Sequence, residues 1–398
     1  MRTRKILVSG LGIAGATLAY WLRRYGFETT VVERAPAPRE GGYILDFWGV
    51  GFEVADRMNL VPALLREGYD MQGIRFVDQD SAPICTISVQ SFRAALGERY
   101  ISILRSGLAR ILYESLDANV ERRFGDTIQA IEQREDGAGV VFANGDKREY
   151  DLVLGADGLH SVVRSLAFGP EAQFDRFYGY YAASFTIDYY PNSDRDIYVS
   201  FTKPGKQVAR YLLRDGRTAV LMVFRQDLRD AHAQHDGEAQ RRLLRDVYGG
   251  EGWECVQLLK HLDAAPDLYF DAVSQIRMPW WSVGRVALVG DACFCPSLLS
   301  GQGSAIAMAG AYVLAGEIKA ADGDHVAAFM GYERRLRRFV ADKQATAERF
   351  AGSFVPRTRF GVWTRNQVSR LMFLPSVARW FGKRFLVDPI ELKDYEAA

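Results

Sequence analysis

The sequence predicts an α/β protein: a Rossmann-type dinucleotide-binding domain, an inserted and mostly antiparallel β-sheet domain, and a helical C-terminal tail. Three observations carry this. Residues 4–34 read strand, glycine turn, helix, strand. Residues 178–224 are rich in Tyr, Phe, Val and Thr, with turn signals at Pro191-Asn192, Lys203-Pro204-Gly205 and Asp215-Gly216. No helix-length segment separates those runs, so they read as ~4–5 antiparallel strands. At Gly284–Asp291 a second strand ends on a glycine and an acid, and a helix of small residues follows.

Ile6, Leu7 and Val8 form an apolar run suited to a strand covered on both faces. In Gly10-Leu11-Gly12-Ile13-Ala14-Gly15 the first glycine permits a tight turn, the second lets a pyrophosphate approach the backbone, and the third lets helix pack on strand. The helix spans about Ala14 to Tyr25, with Leu18, Trp21 and Leu22 on one stripe, and Gly26 ends it. Thr29–Val32 is the next strand. Glu33 follows it, placed where a Rossmann unit puts the acid that binds a ribose hydroxyl.

Ala35–Gly42 is a loop by composition, and Tyr43–Trp48 resumes an apolar run containing Asp46. One helical stretch is expected over Gly51–Leu65, strands over Ile74–Val77 and Ile84–Val89, and a helix from Leu104-Arg105 with Leu108, Ile111 and Leu112 on one face. Ile128–Gln133 and Val140–Ala143, with the turn Asn144-Gly145, suggest a small meander. The strand Asp151–Leu154 runs into Gly155-Ala156-Asp157-Gly158. Leu228–Tyr248 reads as a charged amphipathic helix and Asp271–Arg277 as the sheet's last strand. Gly301-Gln302-Gly303 precedes a helix from Ser304 to about Lys319, and the tail from His325 is helical, broken near Gly352–Pro356 and at Pro375. The expected domains are discontinuous: residues 1–75, 100–175 and 278–325 bind the cofactor, 76–99 and 176–277 form the substrate sheet, and 326–398 are C-terminal helices.

Lys plus Arg number 50 and Asp plus Glu 49, so no global field favours nucleic acid or a membrane. Cys85, Cys255, Cys293 and Cys295 are too few and scattered for a disulfide scaffold, and no zinc spacing accompanies them. No run reaches the ~18 apolar residues of a membrane span, and the N-terminus enters its first strand directly. A cytoplasmic protein, monomer or homodimer, without stable membrane association, is expected.

Three clusters then stand out: Gly10, Gly12 and Gly15 with Glu33; Asp157-Gly158; and Gly290-Asp291 with Gly301 and Gly303. All fall at strand ends, where ligands of α/β sheets collect. Their spread along the chain implies one long ligand crossing the sheet, and FAD fits this better than NAD. No second GxGxxG unit appears, so a nicotinamide is taken transiently or not at all.

On these motifs the chain resembles the group A flavoprotein monooxygenases of the para-hydroxybenzoate hydroxylase fold over nearly its whole length. Glu33-Arg34 matches the family's ribose acid and its neighbour, and Arg105 its polar FAD contact. Gly155–Gly158 with Ser161 and Arg164 matches the DG motif, while Gly290-Asp291, Pro296 and Gly301-Gln302-Gly303-Ser304 match the GD motif, where Asp291 would bind ribityl or ribose oxygens. Arg39–Asp46 and Ala292–Gly303 are most similar to the tetracycline-inactivating subgroup, where the Arg39 equivalent is linked to NADPH and the Asp46 equivalent to FAD. Cys293-Phe294 departs from the histidine that many hydroxylases carry there.

The resemblance implies that NADPH or NADH reduces FAD, and that a flavin C4a-hydroperoxide formed with O2 hydroxylates a small aromatic substrate, polycyclic or polyketide-like as in the tetracyclines. No catalytic side chain and no metal is then required. His160, inside the DG motif, reads as structural rather than as a base. Phe185, Tyr198, Phe201, Tyr211, Met222 and Phe224, on the sheet, are the candidate substrate contacts. In the tetracycline-inactivating relatives a C-terminal helix closes the site, so residues 366–385 are expected as a lid rather than as a basic membrane helix. A simple phenol hydroxylase, a double-bond reductase not using O2, and a flavin- or drug-binding protein without turnover remain as alternatives.

Overall fold

The structure is a computed structural model describing residues 4–38, 41–89, 93, 99–191, 194–227, 236–372 and 388–396. In chain order come β1 (Lys5–Ser9), α1 (Ile13–Arg24), β2 (Glu28–Glu33), β3 (Ile44–Trp48), α2 (Val50–Arg57), α3 (Val61–Glu67), β4 (Gly73–Val77), β5 (Pro83–Ser88), β6 (Tyr100–Leu104) and α4 (Arg105–Glu114). Then follow β7 (Glu121–Phe124), β8 (Ile128–Gln133), β9 (Ala138–Phe142), β10 (Lys147–Tyr150), β11 (Leu152–Gly155), α5 (Val162–Ala167), β12 (Asp175–Ile187), β13 (Ile197–Lys203), β14 (Lys206–Leu212) and β15 (Thr218–Arg225). The remainder is α6 (Gly237–Tyr248), α7 (Cys255–Leu259), β16 (Tyr269–Ile276), β17 (Ser282–Val283), β18 (Val286–Leu288), α8 (Asp291–Phe294), α9 (Gly303–Ala320), α10 (His325–Phe354) and α11 (Arg359–Met372).

The first sheet has the order β17-β18-β11-β1-β2-β7, parallel except for the terminal hairpin β17-β18. Its central strands are apolar on both sides, and Ile6, Leu7, Val8, Leu152, Val153 and Leu154 are all fully buried. Helix α1 packs on α9, with Trp21 set edge-on to Tyr312 at 4.8 Å. The predicted meander forms its own antiparallel sheet, β10-β9-β8.

The second sheet, β16-β12-β15-β14-β13-β4-β5, is antiparallel except where β13 runs parallel to β4. Its outer face carries Tyr181, Ala183, Phe185, Val199, Phe201, Val208, Val220, Met222 and Phe224, packed on Leu244 and Tyr248 of α6 and Leu258 and Leu259 of α7. Alternate residues form the inner face, because successive side chains of a strand point opposite ways. Those residues meet Tyr69, Trp48 and Tyr100 at one end and Leu298, Leu299 and Val355 at the other.

Several boundaries differ from the sequence reading. The expected helix Gly51–Leu65 is two helices, because Asn59 takes a left-handed φ of 57° and Pro62 opens the next. Of the expected helix Leu228–Tyr248, the described part begins at Gly237, capped by Asp236, whose carboxylate accepts the Glu238 N–H at 2.9 Å. The strand before Gly290 spans Val286–Leu288, shorter than the five residues expected. The tail is corrected more substantially. Residues 388–396, expected as part of the C-terminal helices, are not helical. Asp388 accepts the Val50 N–H at the start of α2 (2.7 Å), Leu392 and Tyr395 are 4 % and 1 % exposed in the first core, and the Tyr395 hydroxyl donates to Glu317 at 2.6 Å.

Candidate functional site

Close backbone approaches bring the three clusters together. Gly10 ends β1 at φ 97°, a conformation that favours glycine, and a Cβ there would lie 2.5 Å from the Ala156 carbonyl oxygen and 2.8 Å from Asp157 Cα. The first glycine turn therefore rests on the Asp157-Gly158 loop. A Cβ on Gly15 would come within 1.9 Å of the Gly10 oxygen, and one on Gly290 within 2.9 Å of the Ala14 methyl and 3.5 Å of Ala307. Gly303 stands beside Asp291 and Pro296 in the same sense, at 3.8 and 4.0 Å. Gly12 is different: a Cβ there would meet nothing within 4 Å. No packing within the chain requires its bareness, and space is left beside the start of α1.

Neither α1 nor α9 has a side-chain cap at its N-terminus. Their first N–H groups, which lack intrahelical acceptors, are available to an anion or a carbonyl. Glu33 is held by two loop amides, Leu11 N–H to Oε2 at 2.8 Å and Ala35 N–H to Oε1 at 2.9 Å. Asp157 has a clear structural task. It accepts from Ser161 Oγ (2.5 Å) and from the Val162 and Val163 amides (2.8 and 3.1 Å), fixing the entry of α5. Arg164, fully buried, donates to the carbonyls of Leu159 (2.6 Å) and Ala292 (2.9 Å) and to Glu171 (2.8 Å), tying this loop to the one after Gly290.

Between the two sheets Arg105, at the first position of α4, extends towards Tyr43, Tyr269 and Asp291; burial lowers its pKa, and Tyr43, Tyr269 and Asp291 together raise it above its usual value. Its side chain is accessible to solvent although protein surrounds it, which describes the wall of a cleft. Burial pushes the Asp291 carboxyl above its usual range despite Arg105. Burial likewise raises Asp46, opposed by hydrogen bonds from Tyr100 Oη (2.6 Å) and Ser102 Oγ (2.7 Å). Asp157 is raised for the same reason. Enclosed carboxyls of this kind favour a ligand that supplies hydrogen-bond donors, as ribityl and ribose hydroxyls do. With the open Gly12, the uncapped helix ends and the Arg105 cation, the residues present fit FAD.

Tyr43, Tyr269 and Asp271 belong to this cleft and were not read from the sequence. Tyr43 and Tyr269 lie 6.2 Å apart by ring centroid, and β16 supplies Tyr269 and Asp271 through pairing with β12. Proximity to the Gly41-Gly42 loop is a signal that could have found Tyr43. Nothing local marks the other two. His160 sits between Glu171 (3.0 Å) and Asp271 (3.2 Å), which raise its pKa to about 10 and keep it a cation.

The substrate contacts need correction. Phe185, Phe201, Met222 and Phe224 lie on the outer face, buried against α6 and α7, and are core residues. Tyr198 and Tyr211 lie on the inner face with Trp48 and Tyr100. Tyr198 comes close enough to Asp46 for that carboxylate to help raise its hydroxyl pKa. Arg39 lies outside the described residues, as do residues 373–385 of the expected lid. Arg34, Ile13 and Ala14 flank the first turn, and Gly301, Gln302 and Ser304 the start of α9.

No described helix is long and apolar enough to cross a membrane, and no cluster of described residues could hold a metal. Residues 3–327 match the FAD-binding domain family. The chain is 40% identical over 351 residues to an uncharacterised protein of Mycobacterium tuberculosis strain H37Rv, covering 86% of this chain and 92% of that one. It is 34% identical over 364 residues to a flavin-dependent monooxygenase of Legionella longbeachae, covering 90% and 88%. Among solved structures, the tetracycline destructase Tet(51) superposes with a TM-score of 0.85 at 31% identity, covering 99% of this chain and all of that one. With its cleft, its glycine turns and these relatives, the chain belongs to the FAD-binding domain family and is an FAD-dependent monooxygenase.

Proposed function

We propose that this enzyme hydroxylates a polycyclic aromatic or polyketide-like small molecule of the tetracycline type, drawing electrons from NADPH or NADH and oxygen from O2. The observation that carries this is the convergence of Tyr43, Arg105, Tyr269 and Asp291, with Tyr269, paired to Ser184, on the inner face of an aromatic-rich sheet. The tetracycline destructase relative, alike over its full length, favours a polycyclic substrate over a simple phenol.

FAD, when bound, supplies the activation of O2 and the transfer of one oxygen atom, the second leaving as water. The chain's own residues would hold and orient it. Gly12, Ile13, Ala14 and Gly15 would present the α1 N-terminus to the pyrophosphate, and Glu33, flanked by Arg34, would accept from the adenosine ribose. Asp291, beside Gly290, would accept from the ribityl chain, and Arg105 would supply a cation near it. Asp157-Gly158 would shape the floor. Gly301-Gln302-Gly303-Ser304 and Pro296 would set the α9 N-terminus to favour negative charge on the reduced ring. Asp46 would bind on the sheet side, and Arg39 would receive the nicotinamide cofactor. The sheet's inner face, with Tyr198 and Tyr211, would exclude water around the substrate.

The test is turnover of the FAD-loaded chain with NADPH under 18O2, against tetracyclines, hydroxyanthraquinones and simple phenols. A polycyclic compound should accelerate NADPH oxidation and gain one 18O. Reduction of a substrate without O2 would make the chain a reductase, and absence of any stimulation would leave a binding protein.

A further inference from the structure

Helix α11 lies against β5 and β13, over the edge of the sheet's inner face. Its Arg365 places the guanidinium 4.6 Å from the ring centroid of Phe76 and donates to Thr202 Oγ1 (3.3 Å), the Phe354 carbonyl (3.2 Å) and Asn366 Oδ1 (2.9 Å). Phe76 and Thr202 both belong to the inner face: Phe76 is paired with Ser200, and Thr202 alternates with the outward Phe201. Every one of these partners is neutral. Among the described residues no carboxylate pairs with Arg365, and Arg370 on the same helix donates to Gln367 and the Ile84 carbonyl and lies beside Cys85.

The outer face of the same sheet is treated differently. There Arg75 pairs with Asp194 (2.6 Å), and Arg210 with Asp194 (2.9 Å) and Glu254 (2.6 Å). Arg365 therefore differs from Arg75 and Arg210 in that its described partners leave its charge unmatched. Desolvation lowers the Arg365 pKa to about 10, with only the Cys85 thiol opposing the change. Of its five N–H groups the bonds above and a longer one from Nε to Asn366 use four, leaving one on Nη2. Nearby, Ser200 is 1 % exposed and its hydroxyl has no partner among the described residues, as is also true of the Tyr211 hydroxyl on the same face.

We propose that Arg365 recognises an ionised oxygen of the substrate, so that this enzyme selects polycyclic aromatics carrying a carboxylate or ionised enol over their neutral counterparts. The inference rests on the substrate cleft described under Proposed function. A partly desolvated cation without a counter-charge is stabilised when an anion arrives, and a charge-assisted pair in such a setting is worth about tenfold or more in affinity. Helix α11 is then part of the binding surface as well as its cover.

The experiment is equilibrium binding of 4,5-dihydroxyanthraquinone-2-carboxylate and its methyl ester to the FAD-loaded full chain near neutral pH. The acid should bind about tenfold more tightly than the ester. Arg365→Gln should remove that difference by weakening the acid alone, and Arg365→Lys should restore part of it. In the unaltered chain, added salt should weaken the acid and leave the ester unmoved, a readout independent of how the variants fold. A yellow chain that binds both alike, or neither, overturns the proposal, as does equal weakening of both ligands in Arg365→Gln. A chain that takes up no FAD fails the flavin reading instead, before the comparison begins.

Discussion

Two glycines of one motif should respond oppositely to the same added methyl. At Gly15 a Cβ would lie 1.9 Å from the Gly10 oxygen, so the helix must move off the turn. Overpacking of this kind costs about 1–3 kcal/mol, and an immovable backbone oxygen places it at the upper end. At Gly12 the backbone is extended (φ −77°, ψ −166°) and a Cβ touches nothing within 4 Å. Gly12→Ala should therefore leave apoprotein stability within about 0.5 kcal/mol of the parent. It should weaken FAD, because the methyl occupies the space beside the uncapped α1 N-terminus. The same 1–3 kcal/mol then appears as roughly a ten- to hundredfold loss of affinity. Urea unfolding of the apoproteins and FAD titration by fluorescence quenching measure the two quantities separately. A Gly12→Ala protein that binds FAD like the parent would refute the placement of the ligand there. A Gly15→Ala protein of unchanged stability would refute the packing.

Arg164→Met should cost about 1–3 kcal/mol for each of the Leu159 and Ala292 carbonyls it leaves without this donor, read in urea unfolding, while Glu171 keeps His160 as its partner. His160→Gln should show its effect through pH. The folded-state pKa is raised to about 10 by Asp271 and Glu171, so the imidazolium's contribution is complete below its unfolded value and is lost as pH rises through about 10. The Tm gap between parent and variant should be widest near pH ~6 and close at strongly alkaline pH; a gap that widens with pH would reverse the sign. Tyr395→Ala should destabilise the whole first domain by about 3–5 kcal/mol, because its ring fills the space against Gly316 and its hydroxyl meets Glu317. A tail serving only as a cover would give no such loss.

Local covalent logic made much of this readable. The run from Lys5 to Glu33 announces itself because strand, glycine turn, helix and acid are contiguous, and the meander around Asn144-Gly145 is legible for the same reason. What failed depends on long-range packing. Alternation along β12 and β15 sorts their side chains into two sets, but it cannot say which set meets α6 and α7. Phe185, Met222 and Phe224 fell to the core because Leu244, Tyr248 and Leu258 cover them. The parallel pairing of β13 with β4 joins segments far apart in the chain, and Tyr269 and Asp271 reach the cleft only through the β12–β16 register. In the final residues, Leu392 and Tyr395 are isolated among charges without a helical or strand period, so their burial leaves no trace in the pattern.

That distant turns build a single flavin site is tested most directly by titrating FAD into the apoprotein and into Asp291→Ala. Asp291 lies beside Gly303 on one side and within the field of Arg105 on the other. The parent should bind one FAD and turn yellow. Asp291→Ala should fold with unchanged circular dichroism and bind about tenfold or more weakly. A parent that stays colourless, or an Asp291→Ala protein that binds FAD as tightly as the parent, would contradict it.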